Sequence, residues 1–158
     1  MNQWKTPPID HYKINWDATI DHKKCRIGIG TIIRNWQLQV MDTRRMNKPF
    51  FPDPHLAKVY AALQSTLLGL DMGLTKIVLE GDTLNVVNKI NGANENLYKA
   101  GMIILDVKNS LTRFKSWQVK HVNKSSNKVA HCLAKDALSK DDACVELEEF
   151  PSCIATML

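Results

Sequence analysis

The chain has 158 residues, 44% of them hydrophobic and 23% charged, which suits one soluble domain with a real core and is short for two. No apolar run approaches the roughly 18 residues of a membrane span, so no membrane partner is expected. The formal charge of +5 permits nucleic acid as a partner without demanding it.

Residues 1–10 read as a leader, because "TPPID" cannot be helical. "HYKINWDATI" then alternates Tyr12, Ile14 and Trp16 against Lys13, Asn15 and Asp17, a strand of period two. "DHKKC" turns the chain into a second strand, "RIGIGTIIRN", whose Gly28 and Gly30 share a face, as where another backbone or a ligand comes close. "NWQ" turns it again into "LQVMDTRRM", completing an antiparallel meander.

The pattern then changes. Asp53 is a candidate N-cap and Pro54 a first helical residue, and the helix they open runs to Gly73. One face carries Leu56, Val59, Tyr60, Leu63, Leu67 and Leu70; the other carries the small Ala61, Ala62, Ser65 and Gly69. "TKIVLEGD" is a fourth strand, "TLNVVNKING" a short helix, and "NGANEN" a loop before a helix at 97–114. "SWQVKHV" is a fifth strand and "SSNKVAHCLAKDALSK" a last helix. The order predicts an α/β fold: a five-stranded mixed sheet, an antiparallel meander plus two parallel strands, flanked by helices. The domain is expected at 11–142, followed by a tail at 143–158, and the acidic "DDACVELEE" spans that boundary.

Positive charge concentrates in "HKKCR", "RRMNK" and "KHVNKSSNK", which serve equally as solvated loops or as phosphate contacts. Cysteines at 25, 132, 144 and 153 show no CxxC spacing. They read as reduced thiols, and with no apolar signal core at the start an intracellular protein is expected. Two acids stand where chemistry would want them. Asp17 sits inside the first strand, either facing solvent or serving a site. Asp82 ends the fourth strand, either as the next helix's N-cap or as a hard oxygen ligand for a divalent ion.

"KINWDAT", "GIGTIIRN", "AKVYAAL", "IVLEGDTLNVVNKIN" and "VKHVNKSSNKVAHCLAK" follow one another in register. With them the chain resembles the ribonuclease-H-like domain, in its plant, reverse-transcriptase-associated (retroelement-derived) branch, over essentially its whole length. The resemblance implies a nuclease that cuts the RNA strand of RNA–DNA hybrids with two Mg²⁺ ions (or Mn²⁺) held by four carboxylates. Carried over, the first-strand and fourth-strand aspartates fall on Asp17 and Asp82, the metal ligands. The assisting histidine falls on His121, and the asparagine opening the last helix on Asn127.

Two positions depart from that pattern. The helix glutamate falls on Lys58 and the last-helix aspartate on His131. Histidine is a poor Mg²⁺ ligand, though Mn²⁺ tolerates it better, and His131 reads equally as a surface residue. Lys58 swaps a ligand for a cation. Two unit charges 4 Å apart interact by about 4 kcal/mol at an effective dielectric near 20, and a dication would feel about twice that as repulsion. Lys58 either snorkels to solvent or pairs with Asp17 or Asp82, replacing metal as their neutraliser. Glu80, on the strand face of Asp82, is a candidate substitute ligand.

The expectation is therefore a nucleic-acid-binding domain for RNA–DNA hybrid or RNA, a monomer by default, with cleavage weak or lost: a pseudoenzyme. Arg44, Arg45, Lys48, Lys120, Lys124, Asn127 and Lys128 are its expected contacts. The alternative is an active hybrid ribonuclease using Asp17, Asp82 and His131.

Overall fold

In the computed structural model, which describes residues 5–50, 53–92, 99–139, 144–147, 154 and 157, the alternation along the first strand becomes two unlike sheet faces. Strands β1 (Tyr12–Asp21), β2 (Arg26–Arg34) and β3 (Val40–Pro49) form the meander, with β1 and β2 antiparallel in the register Asp17↔Gly30. β4 (Lys76–Gly81) runs parallel to β1, and β5 (Ser116–His121) parallel to β4. All five expected strands are present. A sixth, β6 (Cys144–Leu147), comes from the tail and pairs antiparallel with β3, giving the order β5-β4-β1-β2-β3-β6. Cys144–Leu147 thus form an edge of the same sheet.

On one face Ile14, Trp16 and Ala18 of β1 join Ile29 and Ile33 of β2 in the main core. Helix α1 (Pro54–Asp71) covers that face, capped by Asp53, whose side chain accepts from the Leu56 amide at 3.1 Å. It lies on the sheet with its small residues. Ser65 Oγ meets Thr31 Oγ1 at 2.6 Å, and a Cβ added at Gly69 would stand 2.8 Å from Ile14 Cδ1. Leu63, Leu67 and Leu70 of its larger face are only partly buried, and α1 also packs against α3 (Lys99–Leu111). The loop expected before α3 and its expected start at 97 lie outside the described residues. So do the acidic 140–143 and Cys153, whereas Cys25 and Cys132 are free thiols.

The other face carries Gly28, Gly30 and Ile32, against which α4 (Lys128–Ala137) packs. Helix backbone crowds both glycines: the Ala134 and Ala130 carbonyl oxygens lie 2.1 and 2.2 Å from where a Cβ at Gly28 and at Gly30 would be. Ile154 of the tail, fully buried, joins Ile32 and Leu133 on this face. A short helix, α2 (Leu84–Asn91), follows β4.

Candidate functional site

Because Gly30 faces α4, its cross-strand partner Asp17 does too, and so do Lys13 and Asn15. The parallel register Asn15↔Glu80 puts Glu80 beside them and carries Asp82 to the level of Asp17. The strip along β1 and β4 under the start of α4 is therefore polar and buried, and each group needs a partner. Lys13 Nζ meets Glu80 Oε2 at 2.9 Å, and Asn15 Nδ2 donates to Glu80 Oε1 at 3.1 Å and to Asn127 Oδ1 at 3.2 Å. Asn127 Nδ2 donates in turn to the Trp16 carbonyl at 2.9 Å. Arg34, cross-strand from Lys13, has its pKa lowered to about 10 by burial, which the Glu80 charge partly opposes.

This network corrects two expectations. Glu80 is not a spare ligand, because both its oxygens are engaged by Lys13 and Asn15. Asn127 is not an exposed contact. Only 1% exposed, it ties the start of α4 to β1. Asn127→Ala would leave the Trp16 carbonyl and the Asn15 amide short of partners, and is expected to cost about 1–3 kcal/mol in chemical denaturation.

Asp17 ends the strip, 1% exposed, and its two oxygens are claimed from two helices. Lys58 Nζ of α1 donates to Oδ1, and His131 Nδ1 of α4 lies 2.7 Å from Oδ2. A carboxylate only accepts, so the imidazole carries its proton on Nδ1 and turns Nε2 outward. The two positions that depart from the ribonuclease-H pattern thus converge on one carboxylate. Asp82, half-buried, lines the same cleft, and His121 Nε2 donates to its backbone carbonyl at 3.3 Å.

A two-metal centre would need the Asp17 oxygens that an ammonium and an imidazole N–H now hold. Among the described residues no group of three or more His, Cys, Asp or Glu side chains is arranged to hold an ion. The donor set does not fit a pair of divalent metals.

The cleft, about 820 Å³, runs from Asp17, Lys58 and Asp82 past Lys124 and Lys128 to Lys135, with Met157 also on its wall. Of the expected nucleic-acid contacts, Lys124 and Lys128 line it and are exposed. The others lie elsewhere. Arg45 is buried against Asp136, Arg44 is half-buried on β3, Lys120 is exposed on β5, and Lys48 donates to Tyr60 Oη at 2.6 Å. Sequence reasoning missed Lys135, although its spacing of seven from Lys128 on an amphipathic helix puts both on one face. It missed Lys13 and Asn15 as partners of Glu80, although the alternation of β1 already set them opposite the core residues.

A family model for reverse transcriptase-like domains matches residues 15–137. No curated protein matches the chain. Among solved structures, RNase H1 from Halobacterium salinarum superposes with a TM-score of 0.75 at 19% identity, over 82% of this chain and 98% of that one. The N-terminal RNase H domain of Rv2228c from Mycobacterium tuberculosis gives 0.73 at 15%, over 82% and 94%. LC11-RNase H1 in complex with RNA/DNA hybrid gives 0.70 at 13%, over 81% and 96%. At these identities the likeness is one of fold, the ribonuclease-H-like fold.

Proposed function

The chain belongs to the reverse transcriptase-like family, and from that membership we propose that it is a ribonuclease-H-type domain that binds RNA–DNA hybrid while its metal-dependent cleavage is weak or lost. One observation carries this reading: the Lys58 ammonium and the His131 imidazole both hold the Asp17 carboxylate. Mg²⁺ at that carboxylate would have to displace an ion pair and then sit beside the displaced cation without a glutamate in exchange. Binding has no such requirement. It needs ammonium groups near phosphates, and Lys124 and Lys128 stand exposed at the cleft.

A gel shift on a labelled hybrid across a salt series tests the binding half. The domain is expected to shift the hybrid at low salt, and the shift to fade as salt rises, because the affinity comes mainly from counterion release. No shift at low salt would remove the nucleic-acid reading.

A further inference from the structure

The cleft continues along α4 well beyond Asp17 and Asp82, and the charges of its described lining do not cancel. Of the three acids among its described lining residues, Asp17 is held by Lys58 and His131, and Asp136 is held by Arg45. Only Asp82 is without an ion-pair partner among the described residues. Lys124, Lys128 and Lys135 have no acidic partner among the described residues either. Three ammoniums against one carboxylate without an ion pair leave the described lining of the cleft cationic. In a site of bare aspartates the opposite would hold, and a phosphate could approach only behind a divalent ion.

Resting on the reading of the domain as a hybrid binder, we propose that this cleft seats the phosphodiester backbone of one strand without any divalent ion, with Lys128 and Lys135 as phosphate contacts and Lys124 beside them. The lysine spacing suits a strand. Seven helical residues span roughly 10 Å, far enough apart for the two ammoniums to meet different phosphates of one strand. Lys58 contributes indirectly: by neutralising Asp17 it removes the charge that would repel the phosphate. The volume of about 820 Å³ leaves room for the sugar and base of a nucleotide beside its phosphate.

Fluorescence anisotropy on a labelled hybrid, run as a salt series in EDTA and again in Mg²⁺, tests this with the full chain. The wild type is expected to bind in EDTA, and no more tightly in Mg²⁺, which there acts only as a competing counterion. Lys135→Gln is expected to weaken binding about threefold at low salt and to reduce the salt slope by about 1. The double variant Lys128→Gln/Lys135→Gln is expected to reduce the slope by about 2. Lys115→Gln, exposed and outside the cleft, should leave it unchanged. These exposed glutamines leave the fold intact, which circular dichroism checks. Binding that appears only with Mg²⁺, or an unchanged slope in the double variant, would overturn the cleft assignment while leaving hybrid binding standing. Failure of the wild type to bind hybrid at all would overturn the functional reading beneath it.

Discussion

Gly30→Ala is expected to destabilise the protein by about 3 kcal/mol, at the upper end of overpacking effects in well-filled cores. The added Cβ would fall 2.7 Å from Leu133 Cβ and nearer still to the Ala130 carbonyl oxygen and the Ala134 nitrogen. Two of these three atoms are helix backbone, so relief requires α4 to move as a body. Such a movement would draw His131 away from Asp17 and strain the bond between Asn127 and the Trp16 carbonyl, so site and fold would suffer together. A native domain has only about 5–15 kcal/mol of stability in all. Gly73→Ala supplies the contrast. Gly73 has φ +75° with open space around it, so alanine there meets backbone strain alone, about 1 kcal/mol. Denaturant midpoints of the two variants should differ clearly, and equal midpoints would refute the close approach of α4.

Substitution at Lys58 is expected to have the second large effect, with a sign that depends on metal. Lys58→Ala leaves the buried Asp17 with His131 alone. Its cost should fall between the value of an exposed pair, under about 1 kcal/mol, and the roughly 3–5 kcal/mol of a fully buried one, hence about 2 kcal/mol. Lys58→Glu should be worse in EDTA, because two carboxylates then face each other. With Mg²⁺ the order should invert. The introduced carboxylate, together with Asp17 and Asp82, would restore an oxygen donor set, and at a hundredfold excess over Kd the ion should raise the Tm of this variant by roughly 5–10 °C. The wild-type Tm should not respond to Mg²⁺. A wild type stabilised by Mg²⁺ as strongly as the glutamate variant would show that the ammonium does not exclude the ion.

What the sequence disclosed and what it hid divide along the range of the interactions involved. The period-two alternation of "YKINWD" separates core from site, and in the structure Trp16 and Asp17 do face opposite layers. Asp53 and Pro54 open α1 where capping chemistry puts them. Gly28 and Gly30 announced a close neighbour, which proved to be helix backbone. By contrast, β6 escaped notice because four residues inside an acidic segment carry too little pattern, and its pairing with β3 is set by tertiary contact. Arg45 and Asn127 looked like phosphate contacts because composition reports charge and polarity but not burial. Asp136 and the Trp16 carbonyl, their partners, are 91 and 111 residues away along the chain. The pairing of Lys58 with Asp17 was legible only as one of several choices, since the reach of a flexible side chain between layers cannot be read from local spacing.

Incubation of a labelled RNA–DNA hybrid with Mg²⁺ and either the wild type or the double variant Lys58→Glu/His131→Asp tests most directly whether an ammonium and an imidazole stand where the ribonuclease-H resemblance implies metal ligands. The wild type is predicted to leave the hybrid essentially intact. The double variant, which adds two carboxylates to the native Asp17 and Asp82, is predicted to cut the RNA strand at least about tenfold faster, the scale on which even outer-shell changes alter metal sites. Brisk Mg²⁺-dependent cutting by the wild type, abolished by Asp17→Asn, would contradict the account.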